Sequence, residues 1–249
     1  MTLLSPTAMV LAAGRGVRMQ PLTLATPKPL LQVGGRAMLD HALDKLQAAG
    51  INQVVVNSFY LGDQIEAHIA ARRDMTLIPS PEQELLDTGG GVKHALRHFT
   101  RPFFALNADL PWTDGAVPGL ARMKQAWQHD KMDVLLLLMP TARARGFEPK
   151  GDFALEPDGR VHRHDVKPPR PCVWISAQIL KPELFAAVPE KVFSNNVIWD
   201  RAEERGRLYG ILHDGTCYHV GTPGDLEKAN QLLASGQGWQ VRAGEAADA

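Results

Sequence analysis

The run Leu11-Ala12-Ala13-Gly14-Arg15-Gly16-Val17-Arg18-Met19 is followed by Pro21-Leu22-Thr23 and Pro27-Lys28-Pro29-Leu30. Small residues directly after an apolar stretch let the backbone approach a ligand closely and aim several N–H groups at one phosphate. Arg15, Arg18 and Lys28 add three positive charges. Such a loop suits a triphosphate and would offset the charge that builds on a departing pyrophosphate. The pair Gly14-x-Gly16 alone is an ordinary turn signal. The segment has neither the Gly-x-x-x-x-Gly-Lys-Ser/Thr of a phosphate loop nor the third glycine of a dinucleotide fingerprint. The whole run with its Pro-Lys-Pro is far more specific than the glycine pair.

Asp109 closely follows the apolar residues Phe103-Phe104-Ala105-Leu106 and Asn107, where a carboxylate at a strand end would project into a cleft. Pro111 comes soon after, so a turn or helix N-cap is the competing role. Leu86-Asp87-Thr88-Gly89-Gly90-Gly91 offers a hydroxyl and three glycines through which backbone groups could reach a base edge. The same glycines could equally begin a helix at Val92. Asp152, in Gly151-Asp152-Phe153, sits in a stretch typical of a turn. Among the nine histidines only His94 and His98 have a suggestive i, i+4 spacing, with no third metal ligand indicated. Trp112, Trp127, Trp174, Trp199 and Trp239 read as packing residues.

Over residues 7–233 these segments resemble the sugar-phosphate nucleotidyltransferase family. Its signature, Leu-Ala-Ala-Gly, then Gly-x-Arg-Met/Leu and a Pro-Lys-Pro lysine, matches the first loop. Asn107-Ala108-Asp109 is similar to the family's Asn/Gly-x-Asp at the end of a central strand. The segments at Leu86 and Gly151 resemble the Leu-Glu-Thr-Gly-Gly-Gly and Gly-Asp-Phe of a short-chain subset. That subset uridylylates N-acetylmuramate 1-phosphate in peptidoglycan recycling. Tyr218-His219-Val220-Gly221-Thr222-Pro223 matches a late Asp-x-Gly-Thr stretch except at His219. Asp165-Val166-Lys167-Pro168 resembles the Glu-Lys-Pro that binds the sugar phosphate in longer relatives.

The resemblance implies transfer of a nucleoside monophosphate from a nucleoside triphosphate to a sugar 1-phosphate, with UTP and N-acetylmuramate 1-phosphate as the pair. GTP with mannose or heptose 1-phosphate is the alternative within the class, and a nucleotide-binding module without turnover the alternative outside it. The implied catalytic residues are Arg18, Lys28 and Asp109. Nucleotide binding falls to Leu11, Ala12, Ala13, Gly14, Arg15, Gly16, Arg18, Lys28, Thr88, Gly89 and Asn107, and sugar binding to Asp87, Asp152 and Lys167. Asp109 is the implied ligand of Mg²⁺, a cation that takes few carboxylates plus phosphate oxygens and water. His219 stands where relatives place a second carboxylate, and imidazole is a poor ligand for so hard a cation. Either His219 takes another role, or catalysis is lost, or a carboxylate such as Asp225 substitutes. No general base is needed, since a phosphate monoester with a second pKa of about 6 is largely dianionic at pH 7.

Positioning these residues requires strands that end at the loops. Apolar runs predict strands at 8–13, 54–57, 76–79 and 103–107, and amphipathic runs predict helices at 40–49, 61–72 and 91–99. The alternation implies an α/β, Rossmann-like, mostly parallel mixed sheet flanked by helices on both faces. Ligands bind such sheets at the carboxyl ends of the strands, so loops at Gly14, Asn57 and Asp109 should converge on one cleft. Further strands are expected at 134–139 and 173–180, a hairpin over 152–161, and helices at 182–188, 195–205 and 224–233. We expect one nucleotidyltransferase domain over 1–234, with a nucleotide-binding half of about 1–110, a sugar-binding half of about 111–234, and a flexible tail at 235–249.

Composition bounds the remainder. The 249 residues are 45% hydrophobic and 22% charged, ordinary for a globular chain. Lys plus Arg equals Asp plus Glu at 27 each, so no global field draws the chain to nucleic acid or an acidic membrane. Two cysteines without metal spacing read as free thiols of a reducing compartment. Residues 1–6 lack the features of a secretory signal, which points to the cytoplasm. A monomer or small homo-oligomer is expected.

Overall fold

The structure, a computed structural model, describes residues 4–147, 151–163 and 171–234. The first four apolar runs form β1 (Thr7–Leu11), β2 (Gln53–Ser58), β3 (Thr76–Pro81) and β4 (Phe103–Asn107). They lie parallel in the order β4-β1-β2-β3. The intervening helices are α1 (Met38–Ala48), α2 (Gly62–Ala71) and α3 (Asp87–His94). Leu39, Leu43 and Leu46 of α1 share one helical face and pack with Ile65 and Ile69 of α2 on one side of the sheet. Val92 of α3 packs on the other side.

The second half continues with α4 (Gly119–Ala126), β5 (Val134–Pro140), β6 (Phe153–Leu155), β7 (Val161–His162) and β8 (Pro171–Leu180). After these come α5 (Glu183–Ala186), α6 (Asn196–Glu204), β9 (Leu208–Leu212) and α7 (Pro223–Ala234). β8 runs antiparallel to β4 from Ala177↔Leu106 to Leu180↔Phe103, which joins the halves in one nine-stranded sheet. Its other edge pairs with β5, and β9 adds parallel to β5. β6 and β7 form the expected hairpin. Ser176, buried at φ 70, lies at a β-bulge in β8 between Trp174 and Gln178. A bulge there bends the strand and re-aims Trp174. Among the described residues no helix is long and apolar enough to cross a membrane.

Two differences from the sequence reading, at α3 and β9, have physical causes. α3 starts at Asp87, four residues earlier than expected, so Gly89, Gly90 and Gly91 lie inside the helix. A Cβ on Gly89 would sit 2.4 Å from the Phe193 ring, and one on Gly90 would sit 2.3 Å from the Lys191 carbonyl oxygen. Close backbone packing therefore outweighs the roughly 1 kcal/mol helix penalty of each glycine. α4 and β9 were not expected. β9 is short and carries a glycine in its middle, and partnership with β5 makes it a strand. Lys167 and the segment 235–249 lie outside the described residues.

Candidate active site

The loop after β1 is held in place before it meets any ligand. Asn57 at the end of β2 accepts the Ala12 N–H at 2.7 Å and donates to Glu82 at 2.7 Å; the other Glu82 oxygen accepts the Leu86 N–H at 3.0 Å. One buried amide and one buried carboxylate thus tie together the ends of β1 and β2 and the start of α3. Burial pushes the Glu82 carboxyl up, and the N–H donors from Leu86 and Asn57 pull it back only in part. Asn57 therefore braces the cleft from behind and does not line it.

Farther along, Gly16 has φ 59, and a Cβ there would meet Lys28 Cβ at 2.9 Å. Only glycine allows both the turn and the approach of Lys28. Thr23 Oγ1 donates to the Gly16 carbonyl at 2.9 Å. Met19 is fully buried with Val33, Met38, Tyr218, Val220 and Ala229, which pins the loop under the segment leading into α7.

Lys28 is buried, and its Nζ donates to Asp109 Oδ2 at 2.8 Å. Burial acts to raise the Asp109 carboxyl, but the charge and hydrogen bond of Lys28 win and hold it below the usual carboxylate range. A cavity of about 330 Å³ opens over this pair. Its lining includes Leu11, Ala12, Gly14, Gly16, Arg18, Lys28, Thr88, Asn107 and Asp109 from the expected set. Val17, Met19, Pro29 and Gly221 line it as well. The expected residues Ala13, Arg15 and Gly89 do not: Arg15 lies over the Phe59 ring and Gly89 packs inside α3 against Phe193. Asp87 is exposed at φ 61, accepts the Thr88 N–H at 2.5 Å, and lines neither this cavity nor the next.

Asn107 Oδ1 is buried without a partner, beside an ionised Asp109. An orphaned oxygen acceptor and one carboxylate suit a hard cation completed by ligand phosphates, and among the described residues no larger acidic or histidine cluster exists. His219 is half-buried, with its ring 5.1 Å from Phe147 and its Nδ1 unpartnered. Burial and the Lys28 cation push the imidazole down against the pull of Asp109, which favours its neutral form. Asp225 does not reach in. Its Oδ2 accepts from the Thr222 N–H at 2.9 Å and from Thr222 Oγ1 at 2.8 Å at the start of α7.

A second cavity, of about 410 Å³, is lined by Gly151, Asp152, Phe153, Arg163, Trp174, Asn196 and Trp199. Trp174 and Trp199 were expected as packing residues; they meet edge to face at 5.0 Å and form its aromatic wall. The two cavities are linked where the Asn195 N–H donates to Thr88 Oγ1 at 2.9 Å, because Thr88 lines the first and α6 carries Asn196 and Trp199 into the second. Asn195 is itself buried with both side-chain amide atoms unpartnered. Sequence reasoning missed Arg163, Trp174, Asn196 and Trp199, which share no local pattern.

Residues 8–145 match the family described as the MobA-like NTP transferase domain. The chain is 41% identical over 233 residues to the N-acetylmuramate alpha-1-phosphate uridylyltransferase of Caulobacter vibrioides, covering 91% of this chain and 96% of that relative. It is 33% identical to the Neisseria meningitidis enzyme of the same name, covering 92% of this chain and 98% of that one. The fold is shared with HddC from Yersinia pseudotuberculosis, solved in complex with GMP-PN, at a TM-score of 0.71 and 19% identity, over 91% of this chain and 99% of HddC. On the match across more than half its length and the near end-to-end similarity to these relatives, the chain belongs to the MobA-like NTP transferase family of nucleotidyltransferases.

Proposed function

We propose that the protein transfers a uridylyl group from UTP to N-acetylmuramate 1-phosphate, giving UDP-N-acetylmuramate and pyrophosphate. The observation that carries this reading is the adjacency of two unlike cavities. One is glycine-rich and basic around Lys28 and Asp109, and the other is aromatic, as a sugar ring requires. Similarity to the Caulobacter and Neisseria relatives supports the choice of substrates.

A phosphate oxygen of the acceptor attacks the α-phosphorus of UTP, a P–O bond forms, and the bond to the departing pyrophosphate breaks. The acceptor phosphate is already ionised, so the protein need only align the partners and neutralise charge. Arg18, Lys28 and the backbone N–H groups from Gly14 to Gly16 face the triphosphate. Asp109, with phosphate oxygens, would hold Mg²⁺, which supplies charge neutralisation on the phosphates when bound. Thr88 and Asn107 contact the nucleotide, and Asp152 meets acceptor hydroxyls.

Pyrophosphate release, measured with Mg²⁺ across a grid of nucleoside triphosphates and sugar 1-phosphates, tests the reading. We expect UTP with N-acetylmuramate 1-phosphate to give the highest kcat/KM. Preference for GTP with mannose 1-phosphate would overturn the substrates while keeping the reaction, and release from no pair would overturn both.

A further inference from the structure

The reaction just described leaves one cation of the second cavity without a task. Arg163 follows β7 directly, and its guanidinium carbon lies 5.3 Å from the Trp199 ring centroid and 6.0 Å from that of Phe153. The cation therefore lies over two aromatic rings. The side chain is only 16% exposed. Its Nη1 donates to the Asn196 carbonyl at 3.1 Å and pairs with the Asp200 carboxylate. Its Nε and Nη2 donate to no described residue. Those two N–H groups form the fork edge of a guanidinium, which takes a carboxylate through two parallel hydrogen bonds.

We propose that Arg163 binds a carboxylate on the acceptor sugar, remote from its 1-phosphate, so that the second cavity selects acidic over neutral sugar 1-phosphates. This inference rests on the proposed uridylyl transfer, which fixes where the acceptor phosphate lies. That phosphate must reach the α-phosphorus over Lys28 and Asp109, and the two cavities share no lining residue. What enters the second cavity is therefore the far part of the sugar. N-acetylmuramate differs from N-acetylglucosamine by a lactyl ether that ends in a carboxylate, and this group complements the open fork. A neutral sugar would cover the guanidinium and leave its fork unpaired, which is the arrangement that discriminates most strongly against an analogue lacking the bonded group.

The test compares N-acetylmuramate 1-phosphate, its lactyl-amide derivative and N-acetylglucosamine 1-phosphate, with UTP and Mg²⁺, in the wild type, Arg163→Lys and Arg163→Gln. For the wild type, replacing the carboxylate by the amide should raise the acceptor KM roughly tenfold or more, as expected for a lost charge-assisted bidentate contact. Arg163→Gln should raise the KM for N-acetylmuramate 1-phosphate by a similar factor. It should cost N-acetylmuramate 1-phosphate more than it costs the amide or N-acetylglucosamine 1-phosphate, by roughly that factor, with the KM for UTP within about twofold of wild type. Arg163→Lys should keep part of the preference, since it retains charge without the fork. Equal use of acid and amide by the wild type would overturn the inference even if Arg163→Gln did not fold. An equal fall with all three acceptors in the variants would assign Arg163 a structural role only. A wild type that turns over only a different sugar 1-phosphate would instead overturn the function on which the inference rests.

Discussion

At the scale of single residues, the proposed function turns on the Lys28–Asp109 pair that lines the first cavity. Lys28 is buried, and among the described residues Asp109 is its only ionic partner. Asp109 stays ionised through the neutral range because Lys28 holds its carboxyl down. Asp109→Asn keeps an acceptor for the ammonium but removes the charge that would hold a cation. We expect turnover to fall by about 10² or more, the magnitude typical of losing one electrostatic stabiliser, while the variant keeps its fold by circular dichroism. In the companion variant Lys28→Met, kcat should fall more than the nucleotide KM rises, because charge grows on the leaving pyrophosphate. Near-wild-type turnover of Asp109→Asn at saturating Mg²⁺ would remove it from the metal site. This part of the cleft was legible in the sequence because Gly14, Gly16, Arg18 and Lys28 are close in the chain and each is a type chosen for one physical reason. The second cavity was not legible. Trp174 and Trp199 look like any core tryptophans until a bulge at Ser176 and the turn before α6 bring them to one wall.

At the scale of elements, α3 shows how packing overrides propensity. Judged by propensity alone, replacing a glycine within a helix by alanine should stabilise by about 1 kcal/mol. Gly90→Ala should do the opposite, because its Cβ would lie 2.3 Å from the Lys191 carbonyl oxygen and 3.1 Å from Leu86 Cβ. One contact is backbone and cannot rotate away, so the strand of chain from Lys191 to Phe193 must shift. We expect a net loss of about 1–3 kcal/mol, read as a lower urea midpoint with an unchanged m-value. An increase in stability would mean that α3 and the 191–193 segment are not in contact. The same contact explains the misplaced start of α3, since nothing local to Asp87 announces that Phe193 will press on Gly89. By contrast β1, β2 and β4 were legible to within two residues at each end. Their apolar runs are bounded by glycine, proline or polar residues, and a strand buried on both faces needs little else. β9 fails that criterion, for a glycine interrupts its run and only Leu208 and Gly210 are buried.

At the scale of the whole molecule, the cleft draws on residues from Leu11 to Gly221, and the sheet that positions them is continuous. β8 pairs with β4 on one edge and β5 on the other, so the two halves of the chain cannot part without breaking central strands. We therefore predict that the chain unfolds as one cooperative unit, with calorimetric and van 't Hoff enthalpies in agreement. A ligand bound only by the native state then stabilises the whole chain. At one hundred times its Kd the gain is about 2.7 kcal/mol, which for a chain of this size raises the Tm by roughly 5–10 °C. With Mg²⁺ present, UTP should produce a shift of that order, and GTP at equal concentration a smaller one. The unfolding peak should move without splitting, because the loop at Gly14 and the segment at Gly221 meet in one cavity and are held by one cluster around Met19. Two transitions, with UTP moving only the first, would show that the halves fold separately despite the shared sheet. A larger shift with GTP would reassign the base and leave the cooperative architecture intact.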